Sequence, residues 1–292
     1  MKKLIPFAIS FFLLLGIGSQ SNAQLLNRAI NRTIQRTADK AADKTAEKLS
    51  DKLSDKLSQS IVEQIESNEN MFSVEDTVTI KPIPSNHQLK MTGSGPDMHF
   101  QYQMSVQTKE QSNLKMYAVT HLYLSDNNGA RSEVLMQVPV VGAIKTIAIS
   151  PLNKPDEVIL INEKNKTYKI ESSKNERQID KNQYKITKIG TETVYGLSCT
   201  HGRVTDENGN VYDFWTTRSI PQYQKMVDQY VKNQQMGSNN FWNALKKADC
   251  DGLIVKMEVP HSGGSALYEL VNMERVTANS SLFEIPAGYK KK

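Results

Sequence analysis

With 36 Lys and Arg against 31 Asp and Glu in 292 residues, the chain carries a formal charge of only +5. No dense basic cluster interleaved with aromatic residues accompanies it, apart from the lysines at 290–292, so no nucleic acid partner is indicated. The length admits one large domain or two small ones with a sizeable core.

Residues 1–23 read as a cleavable secretory signal peptide. Lys2 and Lys3 precede an almost unbroken apolar run over 4–17, with Phe7, Phe11, Phe12 and Leu13 within it. Ser21, Asn22 and Ala23 then place small residues at a cleavage site before Gln24. The run is shorter than the roughly 20 residues a spanning helix needs. No Cys follows it to accept a lipid, so the mature protein is expected in the periplasm or outside the cell, not as a lipoprotein.

Residues 24–68 form a second unit. Between 25 and 67 there is no Gly, Pro or aromatic residue, and Ala, Leu, Lys and Asp dominate, which favours helix. A four-residue repeat runs through it, from Asp39-Lys40-Ala41-Ala42 to Asp55-Lys56-Leu57-Ser58. The apolar column Leu26, Ile30, Ile34, Ala38, Ala42, Ala46, Leu49, Leu53, Leu57, Ile61 and Ile65 drifts about 40° per four-residue step. Over the whole run it winds about 300° around a straight helix, so it cannot lie flat on one surface along its length. One or two exposed helices are expected here, loosely attached to the main domain or self-associating. They read either as a solvated spacer or as an arm contacting a protein or a membrane surface, the latter best supported at 25–36 where Leu and Ile alternate with Arg.

From residue 72 the period becomes two. Met98, Phe100, Tyr102, Met104 and Val106 fall on one face, and His99, Gln101, Gln103, Ser105 and Gln107 on the other, which predicts an antiparallel strand with one wet face. Leu253, Val255, Met257 and Val259 alternate in the same way. Further strands are expected at 72–80, 113–124, 131–138, 143–149, 157–163, 166–171, 183–190, 194–204, 210–217 and 265–275, with turn signals such as Asp206-Glu207-Asn208-Gly209 between them. Residues 221–248 interrupt the series with helical spacing: Met226, Val227 and Tyr230 share one face, Trp242 and Leu245 another. The expected architecture over 72–290 is mainly β with helices. It is a curved antiparallel half-barrel of about eleven strands, with a helical insertion that fills its concave side.

Catalytic signals are sparse. There is no Gly-x-Ser-x-Gly elbow, no His-Glu-x-x-His and no phosphate-cradling Gly loop. His87, His99, His121, His201 and His261 lie far apart, and Cys199, His201 and Cys250 lack the paired spacing of a zinc site. No enzyme, metal or cofactor is therefore indicated. Cys199 and Cys250, an even pair in an oxidising compartment, read as a candidate disulfide.

Three segments carry a resemblance: 190–199, Tyr212-Asp213-Phe214-Trp215-Thr216-Thr217-Arg218, and Leu282-Phe283-Glu284-Ile285-Pro286-Ala287-Gly288-Tyr289-Lys290. Over about residues 95–290 the chain resembles the bacterial exported family catalogued as domain of unknown function 4412, within the LolA-like (lipoprotein-carrier-like) superfamily. That resemblance implies a curved antiparallel sheet around a helix-capped apolar cavity, and no catalytic residue. Cys199 matches the family's Cys, whereas Cys250 has no counterpart, so the bridge rests on compartment and parity.

Two functions follow as expectations. One is a non-enzymatic binding protein holding a lipid or an acylated peptide against Met98, Phe100, Tyr102, Met104, Val106, Tyr230 and Trp242. The other is a structural or envelope-stress interaction protein with a filled core, acting through its N-terminal arm. Intact-mass measurement of the exported protein is expected to show a chain beginning at Gln24 without lipid; a mass retaining residues 1–23 contradicts this.

Overall fold

The computed structural model describes residues 73–75, 87–108, 115–138, 142–154, 157–172, 185–205, 211–232, 239–261 and 264–292. The signal peptide and the arm at 24–68 lie outside them. In chain order the strands are β1 (Ser73–Glu75), β2 (Thr92–Gly93), β3 (Asp97–Thr108), β4 (Lys115–Ser125), β5 (Gly129–Val138), β6 (Gly142–Pro151), β7 (Glu157–Asn162) and β8 (Thr167–Ser172). They continue with β9 (Lys185–Val194), β10 (Leu197–Thr205), β11 (Val211–Thr217), β12 (Leu253–His261), β13 (Gly264–Val276) and β14 (Lys290–Lys291). Two helices, α1 (Pro221–Lys232) and α2 (Asn239–Lys247), stand between β11 and β12. Among the described residues all fourteen strands join one sheet in the order β14-β8-β7-β6-β5-β4-β3-β13-β12-β11-β10-β9, with β1 beside β6 and β2 beside β13. The eleven long strands, β3 to β13, are those the alternation predicts. β9 and β14 end the sheet without pairing to each other, so the barrel is open.

The strand β3 lies near the middle, between β4 and β13, and its alternation sets two faces. Phe100 pairs with Leu122 and Met273, and Met104 with Ala118 and Tyr268. The Phe100 ring meets the Tyr223 ring of α1 edge-on, with centroids 5.6 Å apart, so this is the helix face. Its side chains, from Ala130 on β5 to Val204 on β10, form one core with Tyr223, Met226, Val227, Trp242 and Leu245 of the two helices. The sheet curls around the helix pair, which makes this face the concave one.

The opposite face is only partly wet, with Gln101 and Ser105 half-buried. His99 and Gln103 are buried, each 7% exposed. Here the expectation from alternation fails, because the Gln-bearing face has covers of its own. His99 stacks on Tyr123, with ring centroids 4.4 Å apart, and bonds to Glu274 and His121 at 2.7 and 2.9 Å. Further along, Ile147, Ile149, Ile159 and Ile161 form a grid under Phe283, with Leu282, Ile285 and Tyr289 packed against it. These come from the segment after β13, which crosses the face as a strap. Ala278 N–H donates to Asp97, Arg131 donates to the Leu282 carbonyl at 2.9 Å, and β14 pairs parallel with β8. The Phe-x-Ile-Pro-Ala-Gly-Tyr ending is thus a structural clasp.

At β9 to β11 the same face is covered by side-chain stacking. Trp215 lies between the His201 ring, 4.5 Å away, and the Lys256 ammonium, also 4.5 Å away, and donates to Glu192 at 2.6 Å. Gly202 completes this region from the other side, since a Cβ there would sit 2.3 Å from the Phe214 ring. Phe283→Ala removes the strap's buried anchor and is expected to cost about 3–5 kcal/mol, read as a lower denaturation midpoint, whereas Glu284→Ala at the exposed neighbour leaves it unchanged. Equal effects from the two would show that the strap does not pin the isoleucine grid.

Candidate ligand-binding site on the concave face

Five of the seven residues expected to meet a ligand come together. Met98, Phe100, Tyr102, Met104 and Trp242 share the core between β3 and the helices, with 1%, 0%, 3%, 7% and 2% of their surfaces exposed. Val106 and Tyr230 lie in β3 and α1, and their side chains are outside the described residues. Tyr268, Leu270 and Met273, which the sequence did not single out, belong to the same core, as does Met257. On β13 the register shifts between Leu270 and Asn272, so Ala266, Tyr268 and Leu270 alternate and Met273 resumes the same face out of phase. A strict period-two search loses such a strand at its bulge.

The helices present amphipathic faces to this layer. In α1, Tyr223, Met226 and Val227 are buried while Gln222, Lys225 and Asp228 are exposed; in α2, Trp242 and Leu245 are buried while Asn243, Lys246 and Lys247 are exposed. This is the i, i+3, i+4 stripe of a helix lying on a sheet. Pro221 opens α1, where its missing N–H costs no intrahelical bond. At the end of α2, Asp249 takes φ 56°, and the N–H groups of Asp249 and Cys250 donate to Lys246 and Leu245, a Schellman ending.

Both ends of the helical insertion meet in one polar knot. Arg218 bonds to Asp249 at 2.7 Å and to Asp251, Lys188 of β9 bonds to Asp249, and Thr216 donates to the Cys250 carbonyl at 2.8 Å. Away from the knot, exposed ion pairs link Lys246 to Asp228 and Lys225 to Asp126. Such surface pairs contribute about 0–1 kcal/mol each, so beyond the knot the pair is held mainly by its buried apolar side chains.

Inside the layer, three phenols sit among apolar groups. Tyr102 donates to the Ile254 carbonyl at 3.1 Å. Burial raises its pKa well above the ordinary value, with the neighbouring Tyr223 adding to the effect; burial raises Tyr223 and Tyr268 as well. The site is therefore neutral throughout the physiological range.

The bridge expected between Cys199 and Cys250 is not formed: both are free, buried thiols. The Cys250 Sγ is directed to the Ala248 carbonyl of its own turn, 3.3 Å away. Cys199 faces Glu192 across β10 and β9, and burial pushes its thiol up to about 11. His201 stands between Glu192 and Asp213, at 3.2 and 3.3 Å. Among the described residues no group of three or more His, Cys, Asp or Glu side chains could hold a metal ion, and no helix is long and apolar enough to cross a membrane.

Residues 100–289 match the family model described as Domain of unknown function (DUF4412). The chain belongs to the DUF4412 family. The match runs from within β3 to within the strap. No curated protein matches the sequence. Among solved structures, the chain is similar to an uncharacterized conserved protein from Thermus thermophilus, at 10% identity and TM-score 0.36, over 66% of this chain and 89% of that one. A DUF1329 family protein from Desulfovibrio piger aligns at 15% identity and TM-score 0.31, over 65% and 90%. A LolA superfamily protein from Nitrosomonas europaea aligns at 7% identity and TM-score 0.28, over 66% and 92%.

The knot gives this DUF4412 member a pH dependence. Hydrogen bonds from Lys188 and Arg218 hold the Asp249 carboxyl below its usual range. A carboxylate whose folded pKa is depressed contributes stability that is present above its unfolded pKa and lost as pH falls through the folded one. Titration from about pH 5 to about pH 2 is expected to raise amide exchange in α1 and α2 before the β3–β5 strands. Asp249→Asn, which cannot titrate, should flatten that acid limb. An identical limb in the variant contradicts the role of the knot.

Proposed function

We propose that this protein is exported and binds the apolar chain of a lipid or an acylated peptide between the helix pair and the concave face of the sheet, without catalysing a reaction on it. The observation that carries this reading is the composition of the interface that the helices close. Met98, Met104, Met257 and Met273 from the sheet share one core with Met226 from α1, Phe100 and three phenols. Methionine side chains are unbranched and polarizable, and they repack around varied apolar partners. A core built only for stability favours stiffer aliphatic residues. Displacement of the helix pair would admit the chain, and the lining itself is uncharged. An N-terminal signal peptide would deliver the mature chain to the compartment where lipids and lipidated proteins are handled.

One observation favours the second reading, a structural or envelope-stress interaction protein. Phe100 and Met98 are 0% and 1% exposed, so their own side chains fill the site. On the binding reading this is the ligand-free form, in which the chain of the ligand later displaces packed side chains.

Phe100→Ala distinguishes the two. It is expected to cost about 3–5 kcal/mol in the ligand-free protein under either reading. Under the binding reading a long-chain fatty acid raises the thermal midpoint of the parent, as ligation of the native state requires, and restores part of the loss in Phe100→Ala and Met104→Ala by filling the vacated volume. No shift in the parent or the variants would overturn the binding reading and leave the interaction protein.

A further inference from the structure

The strand β1 fixes where the N-terminal arm joins the sheet. Ser73, Val74 and Glu75 pair antiparallel with Lys145, Ile144 and Ala143 of β6. On the same edge of β6, two residues further along, Ile147 pairs with Ile161 of β7. Continued in the same register, residue 72 would lie beside Thr146 and residue 71 beside Ile147, a position that β7 already occupies. β6 therefore offers no free edge for a longer β1 beyond Ser73.

The chain before Ser73 can turn toward either face. On the strap face, Ile147 and Ile161 are already packed under Phe283. On the helix face, Ala148, Val158 and Leu160 form a separate apolar cluster, 3%, 8% and 1% exposed. Among the described residues only sheet residues belong to that cluster, while α1 and α2 belong to the main core. A sheet face is buried only beneath a second layer.

We infer that residues 49–65 of the same chain are that layer, docked as an amphipathic helix over Ala148, Val158 and Leu160 on β6 and β7. Leu49, Leu53, Leu57, Ile61 and Ile65 repeat at four-residue spacing with Asp, Lys and Ser between them. The column drifts about 40° per step, so three successive members, such as Leu53, Leu57 and Ile61, present one face to a flat strip. The connecting residues 66–72 span up to about 23 Å when extended, enough to bring this stretch back over β6 from Ser73. This docking is independent of whether an acyl chain binds beneath α1.

Hydrogen exchange of the full mature chain, read by mass spectrometry, tests it. In the parent, exchange is expected to be slow in both 49–65 and 157–161. Leu53→Asp combined with Leu57→Asp should speed exchange at least about tenfold in both segments. Residues 221–247 and 253–261 should stay protected, which shows that the domain remains folded, and Leu26→Asp should have no effect. Unchanged exchange at 157–161 in the double variant overturns the inference. So does protection that disappears on dilution, since a second copy of the chain would then be the cover.

Discussion

An open sheet has two faces, and neither can be left bare when both carry apolar rows. That constraint organises this molecule. β3 supplies the alternation near the centre of the sheet, sending Phe100 and Met104 to one side and His99 and Gln103 to the other. A closed barrel would need only an interior; an open one needs a cover on each side. Among the described residues the covers come from two places, the helical insertion between β11 and β12 and the strap after β13. Where the long strands stop short, β1 and β2 occupy the free edges of β6 and β13.

The two covers differ in how they are fastened, and the difference bears on function. The strap is held along its length, by Asp97 at its start, by Arg131 and Phe283 midway, and by pairing of β14 with β8 at its end. Among the described residues the helix pair is tied at its base by the polar contacts around Arg218, Asp249 and Asp251. Elsewhere it rests on apolar contact and exposed ion pairs. The proposed binding site lies on the helix side, among methionines and uncharged phenols.

Much of this was legible in the sequence, for identifiable reasons. Strands such as β3, with five apolar residues at strict alternation, announce both their type and their shared face. The helical insertion was visible because Met226, Val227 and Leu245 break the period of two. The burial of His99 and Gln103 was not legible, because alternation separates two faces without saying what lies over the second one. The strap was recognisable only as a family ending, since Phe283, Ile285 and Tyr289 gain their meaning from isoleucines more than a hundred residues away. Met273 was hidden by the bulge in β13. The cysteines were read by parity and compartment, whereas their geometry depends on the Schellman turn at Asp249, whose αL residue is an Asp and not the usual Gly.

The central claim is that the helix-covered face receives an apolar chain. The most direct measurement is native mass spectrometry of the mature protein purified from the envelope of its own cells, without detergent exchange. The account predicts a population carrying added mass equal to one lipid or one acylated peptide, released on denaturation as a species with a long alkyl chain. A single ligand-free mass under the same conditions, from protein that also takes up no added fatty acid, would contradict it.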